Sequence, residues 1–345
     1  MFRSETPLFL DPSDERWLRF LPTRPEATLY HHPAWINLLA GCYRYRPFII
    51  AVAACDGSLR AGLPMMEVHS RLTGQRWVGL PFTDHCAPLY CDEAALQGLT
   101  DYLVALFSQG SIPRIIVHAG LTRRAEIHAQ MSYVLHTIDL GPDVDSVTSR
   151  FHAMHRRNIK TAEKKGVRIR KGTDREHIAI FYQLHLETRR HQGTPIQPWR
   201  FFESLARLIA QGFGFVSLAY KDDVCLAGAV FLHYRQILIY KYGASRRDAL
   251  ELRPNNLLFA NAIRWGCEHG YRAFDLGRTD LTNTGLRDFK SKWGAIEMPL
   301  AYSNLPPVDC EFTTGTLMTT MQTVIRHSPG WICRVIGELL YRHVA

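Results

Sequence analysis

Residues 215–234, FVSLAYKDDVCLAGAVFLHY, form two apolar runs that an Asp-Asp turn separates, and the second run opens with Ala-Gly. Residues 48–68, FIIAVAACDGSLRAGLPMMEV, repeat this design around an Asp-Gly turn. Each stretch is typical of a β-hairpin. Gly62 and Gly228 occupy equivalent points of the two hairpins, 166 residues apart (228 − 62). The repeat predicts a duplicated fold.

The same further elements follow each predicted hairpin. They are a third strand, a helix and a last strand, predicted at 76–82, 93–109 and 114–120 in the first copy and at 237–245, 255–270 and 271–277 in the second. The chain therefore contains a degenerate duplication of a β-β-β-α-β unit. We expect a mixed α/β (α+β) fold with two domains, each a curved mixed sheet that helices back.

The predicted domain boundaries follow from this repeat. We expect an N-terminal domain over 1–142, a C-terminal domain over 143–308 and a helical extension over 309–345. The second domain opens with a helical insertion, 143–212. Within it we predict one helix from 143 to Gly166, a second ending near Gly193 and a third over RFFESLARLIAQG.

The last segment, GWICRVIGELLYRH (330–343), has apolar residues at helical spacing. Ile332, Val335, Ile336 and Leu339 predict a helix that packs on the protein through this apolar face. A peripheral contact with the inner membrane surface is the alternative.

Composition narrows the class of protein. Hydrophobic residues make up 46% of the chain, which is enough for folded cores. The chain has no run of 18 apolar residues, and its first residues are too polar for a signal peptide, so we expect a cytoplasmic protein. The eight cysteines lack paired metal spacing, and we interpret them as reduced, mostly buried thiols without a metal site.

The positive charge of the chain is concentrated in one segment. The formal net charge is +9, and between Arg150 and Lys171 nine Lys and Arg residues face one acid, Glu163, giving 9 − 1 = +8. A solvated helix normally mixes signs, so this patch indicates a phosphate-bearing partner, either tRNA or a diphosphate-linked precursor. A plain surface helix is the alternative. The substrate-binding candidates are Arg156, Arg157 and Lys160.

Residues 289–294, FKSKWG, alternate aromatic and basic side chains, with Phe289 and Trp293 on one face of an extended chain and Lys290 on the other. We interpret them as a strand in which aromatic anchors fix Lys290. A fixed cation stabilises the oxyanion of an acyl transfer by about 2.7 to 4 kcal/mol. Lys290 is thus the leading catalytic candidate, and a solvated strand lysine is the alternative.

Polar residues around other predicted strand and helix ends supply further candidates. Asp275 and Arg278 lie at the exit of a predicted strand. Arg278 would hold a carboxylate or phosphate, and Asp275 would either take a proton or orient Arg278. The first amides of the helix that begins at Pro254, including those of Asn255 and Asn256, would bind an anion, unless this is an ordinary helix start.

The first predicted domain carries one candidate site. Asp84 and His85 would form an acceptor pocket there. Cys86 follows His85 directly, and because neighbouring side chains of an extended chain point to opposite faces, we do not expect a cysteine nucleophile.

Several stretches together resemble the FemAB-related acyltransferases, tandem GNAT-fold proteins close to the CelD-like acetyltransferases of polysaccharide loci. They cover most of the chain: HHPAWINLL (31–39), LPFTDHCAPL (80–89), RRNIKTAEKKGVRIR (156–170), YKYGAS (240–245), RPNNLLFANAIRWGCEHGY (253–271), FDLGRT (274–279) and GLRDFKSKWGA (285–295).

The resemblance implies an acyltransferase that moves an aminoacyl or acyl group onto an amine of a phosphate-bearing cell-envelope precursor, in peptidoglycan or exopolysaccharide synthesis. Characterised relatives use aminoacyl-tRNA and ordinary GNAT enzymes use acyl-CoA, so no tightly bound cofactor is expected. The resemblance implicates the lysine of the Phe289–Lys290 pair in catalysis and places Tyr242 beside the reacting carbonyl, where a packing role is equally compatible.

The donor and the activity itself are left open at this point. In GNAT enzymes the helix start that matches Pro254 grips a pyrophosphate through a Gly-rich loop, and LELRPNN lacks those glycines. This favours aminoacyl-tRNA slightly. The alternatives are an acyl-CoA-dependent acetyltransferase of exopolysaccharide synthesis and a non-catalytic tRNA-binding module.

Overall fold

The structure, a computed structural model, describes residues 6–70, 74–110, 112–306 and 322–343. Contacts between Cα atoms divide the chain into two units. The first comprises the described parts of Met1–Tyr133, Pro299–Phe312 and Arg342–Ala345, and the second those of Val134–Met298 and Thr313–Tyr341.

The first unit contains a mixed sheet with strand order β1-β2-β3-β4-β6-β13, and β5 pairs with β3. Its strands are β1 (Thr6–Leu10), β2 (Arg46–Ala53), β3 (Leu59–Ser70), β4 (Gly74–Val78), β5 (Leu89–Tyr90), β6 (Ile115–Val117) and the greater part of β13 (Ile296–Leu305). Its helices are α1 (Glu15–Phe20), α2 (Pro33–Tyr43) and α3 (Glu93–Ser108).

The second unit contains a sheet with strand order β7-β12-β11-β10-β9-β8. These strands are β7 (His128–Asp139), β8 (Arg168–Gly172), β9 (Gly214–Lys221), β10 (Val224–Tyr234), β11 (Ile237–Ser245) and β12 (Ala273–Asp280). The helices are α4 (Val144–Ser149), α5 (Ala153–Lys164), α6 (Arg175–Gln192), α7 (Trp199–Leu208), α8 (Pro254–Glu268), α9 (Thr284–Ser291) and α10 (Gly330–Leu340).

The duplicated β-β-β-α-β pattern is confirmed: β2-β3-β4-α3-β6 matches β9-β10-β11-α8-β12. Gly62 pairs with Ala51 and Gly228 pairs with Leu218. A Cβ atom at Gly62 would lie 2.6 Å from the Trp17 ring, and one at Gly228 would lie 2.9 Å from the Leu218 side chain. Both positions therefore require glycine, because any side chain there would overlap a packed neighbouring side chain.

The boundary between the units differs from the predicted one at 142/143. It falls within β7, between Tyr133 and Val134, and the described residues 299–306 return to the first unit. The first unit is therefore built from separate stretches of chain. Sequence periodicity predicts individual helices and strands, but it does not indicate that a distant stretch of chain joins an earlier unit.

The predicted single helix from 143 to Gly166 is wrong, because α4 and α5 are separate. The chain breaks where His152 donates its backbone N–H to the carbonyl of Lys292 (2.8 Å), and the His152 side chain caps α5 by accepting from Met154 N. Gly294 lies against Arg150 at the same junction. A tertiary contact thus replaces the turn of helix that the local sequence favours.

The strand predicted over FKSKWG is also wrong, because Thr284–Ser291 form helix α9. Asn283 caps this helix by accepting from Leu286 N (3.1 Å), and Asp288 pairs with Lys292 one turn later. Phe289 and Trp293 are four residues apart, so a helix also places them on one side. The role of Trp293 as a core anchor is confirmed, since it is fully buried.

The cysteines of the described part of the chain are free thiols. Cys42, Cys86, Cys267 and Cys333 are buried, Cys225 is half-buried, and Cys55 and Cys91 are exposed. Cys310 and the predicted extension from 309 to 321 lie outside the described residues.

Helix α10 is present, but the predicted packing face is only partly correct. Val335 and Leu339, which were expected to pack, are 48% and 62% exposed. The buried residues of this helix are Cys333 and Gly337.

We predict that Gly62→Ala lowers the free energy of unfolding by about 1–3 kcal/mol, because the added methyl group overlaps the buried Trp17 ring. Urea unfolding followed by tryptophan fluorescence measures the change. Gly41→Ala is the matched control: Gly41 lies in α2 with open space around it, so alanine should stabilise the protein by about 0.5–1 kcal/mol. Equal effects of the two substitutions would contradict the packing account.

Candidate active site

Strands β11 and β12 define the position of the site. Their parallel pairing covers Ile237–Ile239 and Ala273–Asp275, whereas the strands continue to Ser245 and Asp280. The shared ladder ends at Ile239 and Asp275. Polar residues on the strand ends beyond it are placed to line a site, as is common where strands of a mixed sheet end.

Strand β12 turns sharply at Gly277. The glycine has a φ of 73°, a left-handed conformation that other residues rarely adopt. Asp275, which is buried, accepts the Gly277 N–H through Oδ1 (2.7 Å) and so stabilises the turn. The turn directs the carbonyl groups of Gly277 and Arg278 towards α9.

Lys290 meets those carbonyl groups from α9. Its side chain is only 4% exposed, and Nζ donates to Gly277 O (2.8 Å) and Arg278 O (3.2 Å). A buried amine is costly unless it is hydrogen-bonded, and here β12 supplies the acceptors. The structure therefore fixes Lys290 at the end of β12, although α9 and not a strand carries it.

His155 joins three helices around this lysine. Its Nε2 donates to the carbonyl of Phe289 (3.2 Å), and Nδ1 accepts from the Asn256 amide (2.8 Å), a tautomer that we assign from these two partners. The imidazole stacks on Trp293 with ring centroids 4.2 Å apart. Burial is the main cause that lowers the pKa of His155, which favours the neutral ring that this arrangement requires.

This arrangement gives Asn256 a structural role. Its backbone amide was predicted to bind an anion, but that amide donates to Arg253 O (3.1 Å), and the side chain is buried against His155 and links α8 to α5. Asn255 is half-buried, and its amide donates to Ser245 Oγ (3.3 Å). Phe289 packs its ring against Phe259 and His155. These contacts hold α9 in the position from which Lys290 reaches β12.

His136 is a second titratable group of this region, and no local sequence signal indicated it. It is fully buried on β7, and its Nε2 lies 3.1 Å from Glu297 Oε2. Burial lowers the pKa of His136, and the positive charge of Lys290 lowers it further, whereas Glu297 acts in the opposite direction. Arg287 forms a bidentate ion pair with the same Glu297 (2.8 and 3.0 Å).

The outer face of α5 carries the basic patch. A surface groove of about 370 Å³ is lined by Ala153, Arg156, Arg157, Lys160, Thr161 and Lys164. Arg157, Lys160 and Lys164 are exposed. Arg156 instead donates to the carbonyl groups of Ser149 (3.1 Å) and Phe151, so it also fastens the junction of α4 and α5.

Tyr242 lies in an aromatic cluster formed by α6, α7 and β11. Its ring centroid is 5.6 Å from that of His185 and 5.9 Å from that of Phe201. Lys241 precedes it at a β-bulge, where Val230 pairs with Tyr242 and Phe231 with Tyr240. Lys241 is only 8% exposed. Sequence analysis missed this second buried lysine, although YKYGAS displays it.

The remaining predicted site residues are Arg278, Asp84 and His85. The Arg278 side chain is exposed, and its backbone carbonyl serves Lys290. Asp84 and His85 belong to the first unit, where the Asp84 carbonyl accepts from Tyr302 and the His85 ring packs on Tyr30. Burial raises the pKa of Cys86 strongly, which disfavours a thiolate nucleophile.

Within the described residues, no group of three or more His, Cys, Asp or Glu is arranged to hold a metal ion. No helix of the described ranges is long and apolar enough to cross a bilayer.

Comparisons with known proteins bear on this site. Residues 149–291 match the family model of the acetyltransferase (GNAT) domain, a range that includes α5, α8 and α9. No curated protein sequence matches the chain.

Solved structures share the fold at low sequence identity. FemX has a TM-score of 0.67 and 14% identity, over 86% of this chain and 96% of that chain. The C-terminal domain of a putative lysylphosphatidylglycerol synthetase from Agrobacterium fabrum has a TM-score of 0.55 and 14% identity, over 90% of this chain and 96% of that chain. A tandem GNAT protein from the clavulanic acid biosynthesis pathway has a TM-score of 0.50 and 11% identity, over 89% of this chain and 100% of that chain.

The fold thus defines a tandem GNAT-fold protein. With an acetyltransferase (GNAT) domain at residues 149–291, the protein is an acyltransferase, and the predicted resemblance to the FemAB-like tandem GNAT proteins is confirmed.

We predict that Lys290→Met raises the pKa of His136, because the nearby positive charge that disfavours a protonated imidazole is removed. His136 should then become protonated at a higher pH than in the unchanged protein. NMR titration of the imidazole C–H signals measures this pKa. Lys292→Met, which removes a half-buried charge that is paired with Asp288, is the control. A pKa that stays constant or falls in Lys290→Met would contradict the described electrostatics.

Proposed function

We propose that the protein transfers an aminoacyl or acyl group from a phosphate-bearing donor to an amine of a cell-envelope precursor. The observation that carries the proposal is the buried Lys290, held by two backbone carbonyl groups at the end of β12 within the GNAT domain. A cation fixed in a site with little water stabilises an oxyanion by about 2.7 to 4 kcal/mol, which corresponds to roughly 100- to 1,000-fold in rate.

The proposed reaction needs no covalent enzyme intermediate. The acceptor nitrogen attacks the carbonyl carbon of the donor, the new C–N bond forms, and the C–O bond of an ester or the C–S bond of a thioester breaks. The proton that the amine loses is taken up by the leaving oxygen or sulfur. Lys290 stabilises the negative charge on the carbonyl oxygen between these steps, and Asp275, through Gly277, maintains the turn that holds Lys290.

The leading donor is aminoacyl-tRNA. Arg157, Lys160 and Lys164 form an exposed basic groove, and its helix α5 is tied to the start of α8 through His155 and Asn256. At that start Arg253 adopts a left-handed φ of 56° before Pro254, and the glycine-rich turn expected for CoA is replaced. A long basic surface beside the site suits a polyanion.

The fold comparisons support a cell-envelope acceptor. FemX shares the fold over most of both chains, and the synthetase from Agrobacterium fabrum is named for lysylphosphatidylglycerol, an aminoacylated envelope lipid. We propose a peptidoglycan precursor as the first acceptor class and place the reaction on the cytoplasmic side of the inner membrane.

A specific observation favours a second candidate, an acyl-CoA-dependent acetyltransferase of exopolysaccharide synthesis. The matching family model is described as an acetyltransferase, and the clavulanic acid protein of similar fold is described with reference to AcCoA. A non-catalytic tRNA-binding module is the third candidate, which the basic groove alone would satisfy.

We predict that Lys290→Ala lowers the turnover number by about 100-fold or more, because the oxyanion loses its fixed cation. Donor consumption is measured with charged tRNA and with acetyl-CoA separately, with an envelope-precursor extract as acceptor. Lys292→Ala, at the same helix end and with its half-buried charge paired with Asp288, should keep full turnover.

The outcomes of this assay separate the candidates. Lys290-dependent deacylation of tRNA supports the leading proposal. Release of free CoA thiol alone replaces the donor with acyl-CoA, and full turnover in Lys290→Ala refutes the role of the lysine. Tight tRNA binding without consumption of either donor supports the binding module.

We predict that Arg157→Ala weakens tRNA binding and makes the slope of log K against log salt shallower by about 1, the value for one lost phosphate contact. Filter binding over a salt series measures both quantities. Arg207→Ala on α7, which also removes one exposed arginine, is the control and should leave the slope unchanged. A slope that responds equally to both substitutions would mean that the net charge, not the α5 groove, binds tRNA.

A further inference from the structure

Helix α10 packs on the second unit through its small residues. Cys333 and Gly337 are buried, and a Cβ atom at Gly337 would overlap the carbonyl oxygen of Ile196. A Cβ atom at Gly330 would lie 3.3 Å from Leu186. Positions 330, 333 and 337 follow helical spacing, so this face lets the helix backbone approach the protein closely.

Three large apolar residues of α10 point outward, whereas Ile332, Ile336 and Leu340 are half-buried. Trp331 is 66% exposed, Val335 48% and Leu339 62%, and their i, i+4, i+8 spacing forms one stripe. A helix that served only to cover its own protein would turn these residues inward. The helix therefore has a second apolar face besides the one that packs on the protein, and such an exposed apolar stripe is typical of an interaction surface.

Arginine residues lie on α10 and on the segments next to it. Arg334 holds its guanidinium over Tyr182 and donates to Gln183 Oε1 (2.9 Å). Arg326 is exposed, and Arg190, in the last turn of α6, is close enough to act on the Cys333 thiol. Between 322 and 343 the sequence has three arginines and one acid, Glu338, giving 3 − 1 = +2.

The acid is engaged by the protein itself. Glu338 accepts the Trp199 N–H through Oε1 (3.1 Å), and its Oε2 lies 4.0 Å from Arg200. With Arg200 beside Glu338, the arginines on and next to α10 outnumber its one acid. An apolar stripe on a basic region matches a bilayer that presents anionic headgroups, because apolar side chains enter the interface and arginines remain at headgroup level.

We propose that α10 is a docking element for an anionic lipid surface, with Trp331, Val335 and Leu339 inserted at the interface. The helix has 11 residues and lies along the surface without crossing it. This inference is independent of the proposed chemistry, since it uses no residue of the Lys290 site.

The experiment compares the full chain with the triple variant Trp331→Ser, Val335→Ser, Leu339→Ser in co-sedimentation with lipid vesicles. The vesicles contain either phosphatidylcholine alone or phosphatidylcholine with phosphatidylglycerol. The unchanged protein should partition at least about 10-fold more strongly onto the anionic vesicles, and the triple variant should lose at least about 10-fold of that binding.

Val224→Ser is the matched control, because Val224 is 46% exposed on the turn side of β10, away from α10 in sequence and element. It should bind vesicles like the unchanged protein. The three changed residues of α10 are exposed, so the triple variant should keep its circular dichroism spectrum.

Three results would overturn the proposal. They are weak binding to both vesicle types, equal loss in Val224→Ser and in the triple variant, and a sedimentation-velocity change from dimer to monomer in the triple variant without vesicle binding. The last result would assign the stripe to a second copy of the chain.

Discussion

The site depends on the two hydrogen bonds from the buried Lys290 amine to the carbonyl groups of Gly277 and Arg278. A lysine with so little exposure is tolerated only where backbone acceptors are already in place. Gly277 must adopt its left-handed conformation to present them, and α9 must be held against β12 for Lys290 to reach them. His155 holds α9 there by stacking on Trp293 and by its hydrogen bond to the Phe289 carbonyl. The position of Lys290 therefore depends on the packing of the helices around it.

The duplicated β-β-β-α-β elements form the sheet of each unit, whereas the Lys290 site also uses helices outside the repeat. Helices α5 and α9 are not part of the β-β-β-α-β pattern, yet they carry the basic groove and Lys290. The repeated strands β11 and β12 contribute by ending their shared ladder early. A repeated scaffold can therefore keep its sheet while short added helices determine which copy holds the reactive groups.

The sequence allowed prediction of the hairpins and of the α3 and α8 helices, because these depend on periodicity and local composition. It did not distinguish a strand from a helix over FKSKWG, since residues 289 and 293 share a side in both. The break before α5 and the structural roles of Arg156 and Asn256 depend on partners far along the chain, and His136 becomes notable only through the nearby charge of Lys290. Such roles require coordinates.

The central claim is that the positive charge of Lys290 stabilises the oxyanion during acyl transfer. Chemical rescue of Lys290→Ala by ethylammonium, followed as the single-turnover rate of donor consumption with the donor Kd measured in parallel, tests it most directly. The account predicts a rate that falls without the lysine, rises again with added ethylammonium and leaves the donor Kd unchanged. A rate loss that comes entirely from weaker donor binding, or a rate that does not depend on the lysine, would contradict it.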